Sequence, residues 1–121
     1  MRLAIRMLGP ALFLTVLAVG CTSSSPTAAP VSAPVSTGAF SIKGFAFNPT
    51  QLSVNKGATI TWTNDDGTTH TVTSGVPGTP SGKFDQRLNA GATFTFTFPD
   101  AGTYDFFCSI HNSMRGTITV K

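Results

Sequence analysis

From Phe40 onward, apolar and polar residues alternate with a period of two along most of the chain, and no stretch carries a sustained helical period. Phe94, Phe96 and Phe98 alternate with Thr93, Thr95 and Thr97, Ile60 and Trp62 with Thr59, Thr61 and Thr63, and Ile118 and Val120 with Thr117 and Thr119. Successive side chains of a strand point to opposite faces, so each run predicts a strand with one face in a core and one in water. Phe40 and Ile42 share one phase and Phe45 and Phe47 the other, with Gly44 between them, which predicts a β-bulge there. Leu52 and Val54 form a short strand closed by Asn55-Lys56-Gly57. Residues 70–73 and 83–87 are two weaker candidates. Eight prolines and twelve glycines punctuate the chain. Seven or eight short strands with frequent turns predict an all-β antiparallel sandwich or barrel.

Two details of the last strands set directions. In Asp100-Ala-Gly-Thr-Tyr104 the tyrosine opens a strand after a turn. It resembles a tyrosine corner, with its hydroxyl tied back to upstream backbone. In Tyr104-Asp-Phe-Phe-Cys108, if Tyr104 and Phe106 point inward, Cys108 does too, and Asp105 and Phe107 point out. Cys108 then sits at the end of the core, where a strand opens into a loop.

The N-terminal residues follow a different pattern. Arg2 and Arg6 precede an apolar run from Leu8 to Val19, interrupted by Gly9, Pro10 and Thr15. That run is short for a membrane span and reads as a secretory signal over residues 1–20. Leu17-Ala18-Val19-Gly20-Cys21 resembles a bacterial lipobox, with Ala18 where the motif usually has leucine, so Cys21 is expected to be lipidated. An ordinary signal peptide cut nearby is the alternative. Residues 22–39 contain only Ser, Thr, Pro, Ala, Val and Gly. They have too little apolar bulk to pack, and Cys21 plus this stretch (21–39) is expected to act as a tether reaching roughly 50 Å. The folded domain is then 40–121.

Charge narrows the partners. The whole chain carries +3, but Arg2 and Arg6 leave with the signal. Lys43, Lys56, Lys83, Arg87, Arg115 and Lys121 then face Asp65, Asp66, Asp85, Asp100 and Asp105. With no basic run among them, nucleic acid is not an expected partner.

Cysteine usage brings in the chemistry. Of two cysteines, Cys21 belongs to the processing site, which leaves Cys108 unpaired in an exported domain where disulfides are favoured. It is an inert buried thiol, a metal ligand, or the partner of Cys21 in a bridge that would join a tether to the core. Cys108-Ser-Ile-His111-Asn-Ser-Met114 places a thiolate, an imidazole and a thioether within seven residues, and the chain's other histidine is His70, after the turn signal Asn64-Asp-Asp-Gly67. Each alone is weak: a histidine after a turn is more often solvated, and a methionine more often fills a core gap. Together they make a His₂Cys set with a weak Met, the donor set of blue copper. Zinc gains little from methionine, and an iron–sulfur cluster needs more cysteines.

Residues 40–121 resemble a cupredoxin of the plastocyanin and amicyanin kind. The resemblance rests on Phe45-Ala-Phe-Asn-Pro49, Ile60-Thr-Trp-Thr-Asn64, Asp100-Ala-Gly-Thr-Tyr104 and Cys108-Ser-Ile-His111-Asn-Ser-Met114-Arg-Gly116. It implies a Greek-key β-sandwich of about eight strands holding one type 1 copper ion. It also implies His70, Cys108 and His111 as strong equatorial ligands and Met114 as the weak axial one. Two residues between His111 and Met114 make the short, amicyanin-like loop. The family often has asparagine directly after the first histidine, tying the ligand loops together; here that residue is Thr71. Thr71 and Ser109 are the expected hydrogen-bonding neighbours of the ligands. The amicyanin loop is commonly proline-rich around its histidine, where this chain has Ile110 and Asn112.

Four ligands leave no open position for a substrate, so the expected role is a one-electron carrier at the cell envelope, a monomer and not an enzyme. It would be held at the membrane by a lipid anchor and would dock transiently with a redox donor and acceptor. His111 is the expected electron port, with Ile110, Met114 and Pro77 as candidates for an apolar rim and Phe107 as a second route or ordinary packing. The competing readings are a copper-handling buffer or chaperone, disfavoured because exchangeable sites are usually richer in Met or Cys, and a metal-free sandwich, which leaves the four-residue coincidence unexplained.

Overall fold

The computed structural model of the protein describes residues 36–121. The signal, Cys21 and the tether as far as residue 35 lie outside the described residues. Nine strands follow in order: β1 Thr37–Ile42, β2 Phe47–Asn48, β3 Gln51–Val54, β4 Thr59–Asn64, β5 His70–Val76, β6 Thr79–Leu88, β7 Thr93–Thr97, β8 Gly102–Phe107 and β9 Arg115–Val120. There is no helix among the described residues. The strands make two sheets, ordered β2-β1-β4-β7 and β3-β9-β8-β5-β6, and one buried cluster draws side chains from both. β1 begins at Thr37, opposite Thr59, three residues before the expected boundary at Phe40.

The alternating runs land where their period puts them. In β4 Ile60 and Trp62 are buried and the threonines between them are not, and β9 repeats the pattern with Ile118 and Val120. The two strands with the weakest signal show no alternation in burial. His70 through Ser74 of β5 are buried on both faces, and in β6 only Phe84 and Leu88 are buried. Two pairs, β1 with β4 and β3 with β9, run parallel, so the sheets are mostly rather than wholly antiparallel. Alternation reports which face a residue occupies, not which way the neighbouring strand runs.

Trp62 forms the middle of the core. Its indole stacks on Phe40 (centroids 5.7 Å apart) and Phe94 (5.5 Å), and Phe106 meets it edge-on at 5.5 Å. Phe106 also meets Phe40 and Phe47 edge-on, at 5.0 and 4.8 Å. Such edge and offset pairs add about 0.5–1.5 kcal/mol each to the burial itself. Gly116 makes room for Phe106, because a methyl group there would run into its ring. Tyr104 donates its hydroxyl to the Asp100 carbonyl at 2.8 Å, closing the expected tyrosine corner.

Two expectations are corrected. Gly44 is not a bulge: residues 43–46 are the turn of a hairpin in which Ile42 faces Phe47. Gly44 and Phe45 both have positive φ (63° and 58°), as a primed hairpin turn requires, so Phe45 leaves the strand and stands 53% exposed. A non-glycine at positive φ mimics nothing in the hydrophobic pattern, which reads Phe45 as in phase with Phe47. Phe107 does leave the core side, since it is not part of the core cluster, but it is only 3% exposed. It lies on an interior strand, across from Thr73 on one side and Arg115 on the other, and neighbouring side chains close over it. It therefore offers no surface route.

Candidate metal centre

β5 and β8 lie side by side in the five-stranded sheet, with Thr73 opposite Phe107. Since His70 opens β5 and Cys108 follows β8, this antiparallel register brings the two to the same end of the sheet. The loop from Cys108 closes on itself: the Met114 N–H donates to the His111 carbonyl (2.9 Å), and the Cys108 N–H donates to the Met114 carbonyl (3.1 Å). That closure turns His111 back toward Cys108 and buries the Met114 side chain in the core cluster. His70, Cys108 and His111 each bring one donor atom into a group no more than 4.8 Å across.

The three atoms are His70 Nδ1, Cys108 Sγ and His111 Nδ1. They lie 3.2 Å (nitrogen to nitrogen), 3.9 Å (sulfur to His70) and 3.7 Å (sulfur to His111) apart. The point equidistant from all three lies about 2.1 Å from each, inside the roughly 2.0–2.3 Å range of imidazole and thiolate bonds to a first-row metal ion. Cys108 is buried and carries no disulfide among the described residues. Outside the triangle its sulfur has one partner among the described residues, the Thr71 backbone N–H at 3.3 Å. Electron pairs aimed at one another from such distances favour a cation between them, so the residues fit a metal.

The surroundings fix each donor. His70 is fully buried, and its Nε2 lies 3.0 Å from Asp66 Oδ2. A carboxylate can only accept, so Nε2 carries the proton and Nδ1 presents its lone pair to the triangle. Asp66 also accepts from the Gly44 and Phe45 backbone N–H groups, at 2.8 and 3.0 Å. The Phe45 N–H first and the Gly44 N–H next hold the Asp66 carboxyl below its ordinary range against the upward push of burial, and His70 adds a lesser downward pull. One carboxylate thus holds both a donor histidine and the turn that carries Phe45. The Phe45 ring caps both imidazoles edge-on, with centroids 5.4 Å from His70 and 5.0 Å from His111. Positive φ costs a bulky residue about 1–3 kcal/mol, so Phe45 persists there because its surroundings hold it.

Asn64 builds the loop before His70. Fully buried, it donates to the Thr68 and Leu88 carbonyls (2.8 and 2.9 Å) and accepts the Asp66 N–H at 3.0 Å. The turn signal Asn64-Asp-Asp-Gly67 is therefore both a loop and the source of the carboxylate behind the histidine. Thr71 and Ser109 meet beside Cys108: the Ser109 N–H donates to Thr71 Oγ1 at 2.7 Å, and the two hydroxyls lie 3.0 Å apart. Sequence reasoning missed Phe45 and Asp66. The available signal was Asp66 four residues before His70. Of the expected rim, Ile110 is 44% exposed, whereas Met114 is buried. Pro77 lines a groove with Val76, Asp105 and Arg115, which none of the three donors shares.

The family of copper binding proteins described as plastocyanin/azurin matches residues 33–121. The chain belongs to that family. A plastocyanin of Scenedesmus fuscus is 36% identical over 84 residues, covering 62% of this chain and 86% of the relative. An amicyanin of Paracoccus denitrificans is 35% identical over 103 residues, covering 82% of this chain and 76% of the relative. Among solved structures, a purple cupredoxin from Nitrosopumilus maritimus superposes with a TM-score of 0.64 at 31% identity, over 69% of this chain and 99% of that one. The cupredoxin's metal is one copper ion, which the donor set suits: two imidazoles and a soft thiolate, with the thioether of Met114 on the same loop.

Proposed function

We propose that this cupredoxin is a one-electron carrier of the cell envelope, in which His70, Cys108 and His111, together with the thioether of Met114, would hold the copper ion. The observation that carries the reading is the triangle of His70 Nδ1, Cys108 Sγ and His111 Nδ1 at one end of the sandwich. Copper bound there supplies exchange of a single electron between its two common oxidation states. The chain's own residues hold the donors still while that happens. Asp66 fixes the tautomer and angle of His70, and the Thr71 N–H holds the sulfur. A hydrogen bond at the cysteine sulfur and the apolar packing around it tune the potential of such a site. Cys108 and Met114 belong to the buried core cluster, and the Phe45 ring lies edge-on against both imidazoles.

His111 is the way out. It is the partly exposed member of the triangle, flanked by exposed Ile110 and Phe45, an apolar rim on which a redox partner docks weakly and briefly. The relatives named plastocyanin and amicyanin support the carrier reading. The sequence of residues 1–21 supports export and a lipid anchor at Cys21.

Titrating the purified protein with Cu(II) tests this directly. One equivalent of copper is expected to give an intense thiolate-to-copper absorption that reversible one-electron reduction bleaches. Cys108→Ser should remove the colour, and a Cys108→Ser protein that stays blue overturns the assignment. Copper bound without the band points instead to copper handling. Cys21→Ser should release the protein from membranes; if it stays membrane-bound, the anchor is wrong.

A further inference from the structure

A line of three hydroxyls leads away from the copper-binding loop on the outer face of the five-stranded sheet. Val72 points into the core, so Thr71 and Thr73 face the other way, and both are nonetheless buried. Ser109 Oγ lies 3.0 Å from Thr71 Oγ1, Thr71 Oγ1 lies 3.0 Å from Thr73 Oγ1, and Thr73 Oγ1 donates to Asp85 Oδ1 at 2.8 Å. Asp85 is the residue of β6 directly opposite Thr73.

Counting protons gives this line a direction. Three hydroxyls bring three protons, and there are three gaps: Ser109 to Thr71, Thr71 to Thr73, and Thr73 to Asp85. The ionised carboxylate at the end can only accept. Thr73 must therefore give its proton to Asp85, Thr71 its proton to Thr73, and Ser109 its proton to Thr71. Any other order leaves one gap without a proton. In this order both lone pairs of Thr71 Oγ1 are free to face the loop, and both are used, by the Ser109 hydroxyl and by the Ser109 N–H at 2.7 Å. Thr71 returns its own N–H to Cys108 Sγ. The loop and β5 are thus stitched reciprocally at the cysteine.

We propose that Asp85 is a positioning residue for the Cys108–Met114 loop, acting through the oriented hydroxyls of Thr73 and Thr71 to hold Ser109 and the Cys108 sulfur in place. The carboxylate touches neither the metal nor the ligands. It sets which way the hydroxyls point, and so whether Thr71 accepts from the loop or competes with it for an acceptor. Buried hydroxyls left without a partner are costly, so losing either end of the line loosens the loop rather than leaving it unchanged.

The inference rests on the copper reading for one of its two readouts only. In the metal-free protein, Asp85→Ala and Thr73→Val are expected to speed hydrogen exchange of the Ser109 amide about tenfold. In the copper-loaded protein the same variants should shift the thiolate absorption and release copper to a chelator about tenfold faster. Asp85→Asn keeps an acceptor oxygen for Thr73 and should stay within about twofold of the parent in both. Thr117→Val is the control: it removes a hydrogen bond to Asp105 (2.8 Å) on β8 and β9, with no link to the line, and should move neither readout. Ser109 exchange in Asp85→Ala or Thr73→Val no faster than in Thr117→Val overturns the proposal, as does Asp85→Asn behaving like Asp85→Ala. A chain that binds no copper still answers the exchange measurement, so failure here and failure of the copper reading are told apart.

Discussion

His70 and His111 carry the same side chain and turn the same nitrogen toward the same sulfur, yet the fold supports them differently. His70 opens a strand, is fully buried, and has its far nitrogen held by Asp66. His111 sits on a loop closed by two backbone hydrogen bonds, keeps part of its ring in reach of solvent, and has no carboxylate behind it among the described residues. The first is a fixed wall and the second an edge open to solvent. What they share is the Phe45 cap, which lies against both rings and is tied down through the carboxylate that holds only one of them. The difference teaches that a ligand's role in such a centre comes from what stands behind it, not from its own chemistry.

Removing each ring in turn separates the two histidines most severely. His70→Gly and His111→Gly should both lose the thiolate absorption. Added imidazole should restore it in His111→Gly, where the gap opens to solvent, and not in His70→Gly, where the gap is closed. Equal rescue of both, read from the absorption, would erase the distinction. Next in size, Asp66→Ala should weaken copper binding about 10- to 100-fold, as loss of a carboxylate behind a ligating histidine does. A chelator competition measures this, and an unchanged affinity would show that the strand alone orients His70. Phe45→Gly should relieve the positive-φ strain and stabilise the metal-free protein by about 1 kcal/mol in denaturant unfolding, because glycine adopts that backbone freely. It should also quicken reduction by small molecules severalfold by uncovering the edge of His111. The smallest effect is expected from Ile110→Ser, which should leave the absorption and potential unchanged and weaken only docking of a protein redox partner. A shifted spectrum there would mean that the rim also shapes the site.

Much of the fold was legible because one physical signal, the period-two burial of a strand, is local. Trp62 and Ile118 could be assigned to a core from their neighbours' polarity alone, and the inward direction of Cys108 followed once Tyr104 and Phe106 were taken to point inward. Phe107 was misplaced because the same period says which face a residue takes but not whether other strands close over that face. Phe45 was misplaced because a positive-φ turn interrupts the phase without any polar residue to mark it. Asp85 was invisible as a partner of the site: its link to Cys108 passes through Thr73 and Thr71 on a third segment, and no spacing in the chain encodes it.

The sequence settled the fold class and named a candidate donor set. Alternation and ligand chemistry are properties of side chains in short stretches, and two imidazoles, one thiolate and one thioether name a soft metal wherever they stand. Only the tertiary structure decided that His70 meets Cys108 across thirty-eight residues, that Asp66 holds His70 and the Phe45 turn at once, and that a line of hydroxyls ends on Asp85. These contacts depend on strand register and on where a turn aims its backbone N–H groups. Both are fixed by packing between segments distant in the chain, which no local pattern carries.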